Sequence, residues 1–151
     1  MGSSLSEYYL TFKGLCIVPV IKRVPFTGKV KDAVRYIGYM EDITKFCMSN
    51  SLDLYFLTYS RGLVTLEDEL EREVSIKDDT NLLIWASIVS EQTYRVCVGT
   101  HSLDVYLLNK EISNYRQYVD FMKQRGILVH QPILGMRRSF IPSALGSIHI
   151  S

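Results

Sequence analysis

The sequence predicts an α+β domain, a mostly antiparallel sheet with two main helices packed on it. Three observations carry this reading. Runs rich in β-branched and aromatic residues outnumber runs with helical spacing. Several of those runs are joined by short turn signals. The order strand, helix, several strands, helix, strand lacks the regular alternation of a parallel sheet.

Tyr8 to Ile21 (YYLTFKGLCIVPVI) is nearly continuous in apolar and aromatic residues and reads as a strand, with Gly14 and Pro19 marking a bulge and an end. Arg23 to Gly28 is a turn. Val30, Ala33, Val34, Ile37, Met40, Ile43 and Cys47 then recur at helical spacing, with Thr27 placed to cap them. Ser49-Asn50-Ser51 ends that helix. Leu52 to Tyr59 is a strand and Arg61-Gly62 a turn. The acidic Glu67, Asp68, Glu69, Glu71 and Glu73 read as a solvated face or loop, able to pair with the basic ends of a neighbouring copy. Ser75 to Asn81 is turn-like. Leu82 to Ser90 (LLIWASIVS) and Thr93 to Leu108 read as two strands joined at Glu91-Gln92, with Gly99 breaking or bulging the second. Asn114 to Val129 (NYRQYVDFMKQRGILV) is a capped amphipathic helix with a buried stripe of Tyr115, Tyr118, Val119 and Met122. Gly126 stops it and a short strand follows.

Length and composition fit one domain, organised as a flexible segment 1–6, a core 7–132 and an apolar tail 133–151 that either packs on its own domain or docks on a neighbour. Net charge is +1, spread as +3, −5 and +3 over residues 1–50, 51–100 and 101–151. A uniform polyanion binder would be more basic. Cys16, Cys47 and Cys97 are widely spaced in apolar settings and read as buried free thiols. No run is apolar over the roughly 18 residues a spanning helix needs, and no secretory signal is present. Met1 to Ser6 fits the permissive N-myristoylation pattern, and the same letters also begin many recombinant chains.

The chemistry of turnover is not visible in the sequence. No phosphate loop, dinucleotide fingerprint, nucleophile elbow or zinc-binding helix occurs, and His101, His130 and His149 lack ligand partners at short spacing. The expectation is no catalytic residue, no metal and no cofactor. Two basic patches are predicted to meet a membrane or a nucleoprotein. Lys22, Arg23, Lys29, Lys31 and Arg35 form the first, and Arg116, Lys123 and Arg125 with Arg137 and Arg138 form the second. Ile133, Leu134, Phe140, Ile141 and Leu145 in the tail are the candidates for self-association.

The order and texture resemble the matrix proteins of rhabdoviruses, plant-infecting members included. The residues that carry the resemblance begin with Glu7-Tyr8-Tyr9-Leu10-Thr11-Phe12 and Val24-Pro25-Phe26-Thr27. They continue through Val30-Lys31-Asp32-Ala33-Val34, Leu54-Tyr55-Phe56-Leu57 and Val98 to Val105, and close at Asn114-Tyr115 and Gly126-Ile127-Leu128-Val129. The resemblance implies a non-enzymatic protein of the virion, lying beneath the envelope. It would self-associate, condense the viral nucleocapsid, bind the anionic inner membrane face during budding, and meet host factors in the cytoplasm or nucleus. Animal-virus members carry a lysine-rich arm with a PPxY or PSAP-type motif. Here no basic residue precedes Lys13, and Pro142-Ser143-Ala144-Leu145 is a near miss at the other end. The competing expectation is a small nucleic-acid-binding or host-modulating module.

Overall fold

The computed structural model describes residues 9–10, 15–19, 28–35, 38–70, 76–97, 102–107, 112–146 and 149–150. In chain order the elements are β1 (Tyr9–Leu10), β2 (Leu15–Pro19), β3 (Gly28–Lys29), α1 (Val30–Val34), α2 (Gly38–Ser49), β4 (Asp53–Thr58), β5 (Gly62–Val64) and β6 (Glu69–Leu70). Then come α3 (Asp79–Val96), β7 (Ser102–Val105), α4 (Ile112–Gln124), β8 (Leu128–His130), a 3-10 turn (Arg138–Phe140), α5 (Ile141–Gly146) and β9 (His149–Ile150).

The main sheet has five strands in the order β5-β4-β2-β7-β8. β4, β2, β7 and β8 are mutually parallel, and β5 alone is antiparallel, folded back on β4. β1 pairs with β9, and β3 with β6, as separate two-stranded ladders. The expectation of a mostly antiparallel sheet is therefore corrected: the domain is mixed α/β with a mostly parallel sheet.

Part of the correction traces to one segment. Leu82 to Ser90 and residues 93–96, expected in the two strands of a hairpin, belong to the single helix α3, whereas Ser102–Val105 of the second expected strand does form a strand, β7. Leu82, Trp85, Ala86, Val89 and Thr93 recur three to four apart and are all buried. Asp78 caps the helix, its Oδ2 accepting from Asn81 N at 3.0 Å, so the turn-like 75–81 stretch contains a helix start. α3 lies in the connection that carries the chain from the β4–β5 hairpin across to β7, which runs parallel to β2 and β4; parallel strands need such a long connection.

The first predicted helix divides into α1 and α2. Its start is held by a loop instead of a side chain: Val30 N donates to Asp68 O at 3.0 Å and Lys31 N to Leu66 O at 3.1 Å. Thr27, expected as the cap, and Ile37, of the expected stripe, lie outside the described residues, as do Gly99, His101, Glu71 and Glu73. α4 and its end match expectation. Tyr115, Tyr118, Val119 and Met122 are buried. Gly126, at φ +82°, closes the helix with Gly126 N to Lys123 O at 2.9 Å and Ile127 N to Met122 O at 3.1 Å. That is a Schellman pairing, for which glycine has no Cβ penalty.

Helices cover both sides of the sheet. Cys16, Val18, Phe56, Val64 and Tyr106 face α1, α2 and α5, with Ile133 in the same cluster. Leu15, Ile17, Leu57, Leu103, Val105 and Leu107 face α3 and α4. The connection from β2 to β4 runs on the first side, and those leading to β7 and β8 run on the second. The winding direction therefore reverses between β2 and β7. In open parallel sheets the carboxyl ends of the two strands at such a reversal flank a crevice suited to ligands. Here they are bounded by Pro19 and by Val105 to Leu107.

Candidate functional site

Two features of the domain are not explained by folding alone, one inside and one outside. The inner feature is on β7. Leu103 and Val105 point toward α3 and α4, so Asp104 and Tyr106 alternate to the other side of the sheet. In register, Asp104 stands opposite Cys16 of β2 and His130 of β8. It is 0% exposed, and neither carboxylate oxygen has a hydrogen-bond partner within the described protein. Burial pushes its pKa up from 3.8 to about 7, which makes it a weaker acid.

The Tyr106 hydroxyl is likewise buried and without an aligned partner, although it lies beside the Cys16 sulfur. Burial is the main cause that raises its pKa, followed by the neighbouring Cys16, Cys47 and Asp104. Cys16 is raised chiefly by its contact with the Cys47 thiol, then by burial. All three native cysteines are buried free thiols. Among the described residues no group of three potential metal ligands converges, so Asp104, Cys16 and Cys47 do not make a metal-binding set.

The outer feature is the solvent side of α3. Leu83, Ile84 and Ile88 are 44%, 53% and 55% exposed, and Tyr94 lies two turns further on the same arc. Ser87 is exposed between them. These large aliphatic side chains lie together on one helix and form an exposed apolar stripe. At its carboxyl end the stripe meets Glu91, whose oxygens hold Arg95 Nε at 3.2 Å and Arg125 Nη2 at 2.8 Å. Arg125 also lies over the Tyr94 ring, 5.0 Å from its centroid.

The eight described residues of the ten expected in basic patches lie on different sides of the domain. Lys22 and Arg23 lie outside the described residues. Lys29 and Lys31 are both engaged by Glu67, at 3.5 and 3.3 Å, and Lys31 leads the causes that lower the Glu67 pKa. Glu67 of the acidic segment thus meets its own chain's lysines, while Asp68 accepts from Thr65. Arg35 follows α1 and is exposed. Arg116, Lys123 and Arg125 sit on or just after α4, on one side of the sheet. Arg137 and Arg138 belong with the opposite side, where Arg138 lies 5.2 Å from the Tyr39 ring centroid on α2. The second expected patch is therefore divided by the sheet.

The tail is anchored by three interior residues on an otherwise largely exposed segment. Ile133, Ile141 and Leu145 are buried in the core beneath α2, which leaves Leu134 and Phe140 as the exposed members of the five. Three of the five residues expected to bind a neighbour therefore pack on their own domain.

Sequence reasoning passed over both features. Asp104 had one available signal, an acid at an inward-alternating position of an apolar strand. The α3 stripe had another: LLIWASIV has more apolar residues than one buried helix face can use.

Fold and site together define a three-layer α/β domain with a doubly wound, mostly parallel sheet and an apolar helix face open to solvent. Comparison with protein-family models, with curated proteins and with solved structures finds no match to this chain.

Proposed function

We propose that this chain is a structural protein that works by binding copies of itself, without substrate turnover. The observation that carries the reading is the exposed aliphatic stripe of α3. Burying one such side chain is worth about 1.5–3 kcal/mol, so a cluster of three supplies a driving force for association that a solvated helix face lacks. In the matrix-type setting that the sequence resemblance implies, the associated protein lies beneath an envelope, between an anionic membrane surface and the viral nucleocapsid. The exposed cations for those contacts are Arg116 and Lys123 on one side, with Arg35, Arg137 and Arg138 on the other. Among the described residues no helix is long and apolar enough to cross a membrane, so any membrane contact made through them is peripheral.

Sedimentation velocity over a wide concentration range, with and without anionic liposomes, tests the reading. Mass that rises with concentration supports self-association, and co-pelleting that weakens with salt supports the membrane contact. A monomer at every concentration overturns the proposal. A labelled oligonucleotide shifted with steep salt dependence, by a chain that stays monomeric, points instead to the nucleic-acid module.

A further inference from the structure

We propose that the partner of the α3 face is a second α3, packed antiparallel about a two-fold axis that passes between Ile84 and Ser87. This rests on the self-association reading and specifies its geometry. The occupant is argued from charge. The amino end of α3 carries Lys77, Asp78 and Asp79, a net −1, and the carboxyl end gathers Glu91, Arg95 and Arg125, a net +1. Antiparallel pairing sets unlike ends together, and the helix dipoles agree with it. Parallel pairing sets like ends together and is disfavoured on both counts.

The side chains fit the same axis. It places Ile84 against the Ser87 of the second copy, and Leu83 against its Ile88. Ser87 is small, so the helix axes can approach where they cross, and the flanking aliphatic side chains fill the space beside it. Thr80 then falls opposite Glu91, with a hydroxyl to donate to that carboxylate. Glu91 enters the contact already compensated by two arginines of its own chain, which removes the cost of burying an unpaired charge. The same patch serves both copies, so the contact closes as a dimer and does not propagate. Larger assemblies would need another surface.

The test combines sedimentation with cysteine crosslinking in the full chain. Ile84→Lys and Ile88→Lys replace exposed residues, so circular dichroism should show an unchanged fold. Each is expected to raise the dimer dissociation constant about tenfold or more. Ser87→Cys is expected to give a disulfide-linked dimer when copper–phenanthroline and dioxygen remove two electrons and two protons from the thiol pair. The background is low because Cys16, Cys47 and Cys97 are buried. Thr80→Cys alone should not crosslink, since the two-fold axis separates its copies by roughly 16 Å along the helices, whereas a mixture of Thr80→Cys and Glu91→Cys chains should. A wild-type chain that remains monomeric overturns both this geometry and the self-association reading. A dimer that survives both lysine substitutions leaves self-association standing and overturns the α3 contact. Crosslinking of Thr80→Cys alone as readily as Ser87→Cys overturns the antiparallel arrangement.

Discussion

The two sides of the central sheet are built to different standards. On the α3/α4 side, buried polar groups are partnered. Trp85 Nε1 donates to Thr58 O at 2.9 Å, and Thr93 Oγ1 donates to Val89 O at 2.7 Å while sharing a 2.9 Å hydrogen bond with the Tyr118 hydroxyl. The rings of Tyr59, Trp85 and Tyr115 close around the first of these. On the α1/α2/α5 side, Asp104 and Tyr106 are buried without partners beside Cys16 and Cys47. One strand serves both sides: Leu103 and Val105 point to the satisfied side, Asp104 and Tyr106 to the other. The contrast teaches that both sides bury an apolar core, but Asp104 and Tyr106 subtract from the second side's contribution, since a buried polar group without a partner is penalised by its full desolvation.

Substitution can break that comparison. The largest loss is expected on the satisfied side. Trp85→Ala removes a buried ring, its hydrogen bond and its two aromatic neighbours, and should cost about 3–5 kcal/mol in urea denaturation. A loss under about 1 kcal/mol would show that the ring cluster does not hold α3 to the sheet. The next effect has the opposite sign. The folded chain keeps the Asp104 proton up to about pH 7, whereas the unfolded chain releases it near 3.8. Between those values the folded state binds more protons, so stability should fall as pH rises from about 4 to about 7 and stay low above it. The groups set around Asp104 are Cys16, Tyr106 and, in register on β8, His130, with Cys47 behind Cys16 and Tyr106. Asp104→Asn should match the wild type near pH 4 and exceed it by about 2–4 kcal/mol at pH 8. Parallel stability curves for the two chains across this range would show that the carboxyl is not desolvated.

Most individual elements were legible in the sequence, whereas the sheet's topology was not. The α2 stripe of Met40, Ile43 and Cys47, β4, α4 with its Gly126 stop and β8 all follow from local spacing. The error at residues 82–96 was local too, yet it changed the whole fold. β-branched and aromatic residues are common in strands, and α3 contains enough of them on both its inner and outer faces to hide its period. With that segment read as a hairpin, the connection that carries the chain from β4–β5 across to β7 was lost, while the helices that join β2 to β4 and β7 to β8 were read without the parallel pairing they produce. The same excess of apolar residues on α3 is the candidate contact surface, so one misreading concealed part of the topology as well as the site. The basic patches failed for a different reason. Sequence proximity does not say which side of a sheet a residue reaches, and Arg125 and Arg138 come to opposite sides.

The smallest predicted effects sharpen the comparison most, because they change one oxygen on each side. Tyr118→Phe removes a hydroxyl that is bonded to Thr93, and Thr93 keeps its bond to Val89 O, so the cost should be about 1 kcal/mol. Tyr106→Phe removes a hydroxyl that has no aligned partner, so it should be neutral or stabilising by up to about 1–2 kcal/mol. Both substitutions keep the ring and nearly the same volume, so packing cancels in the difference between them. Paired urea titrations at one pH measure that difference directly. If Tyr106→Phe proves the more costly of the two, its hydroxyl is partnered in solution. A double-mutant cycle with Asp104→Asn would then locate the partner: coupling assigns it to the carboxyl group, and additivity assigns it to the Cys16 sulfur. In the first case the two sides of the sheet would follow one rule, with a protonated Asp104 and Tyr106 satisfying each other across one residue of β7.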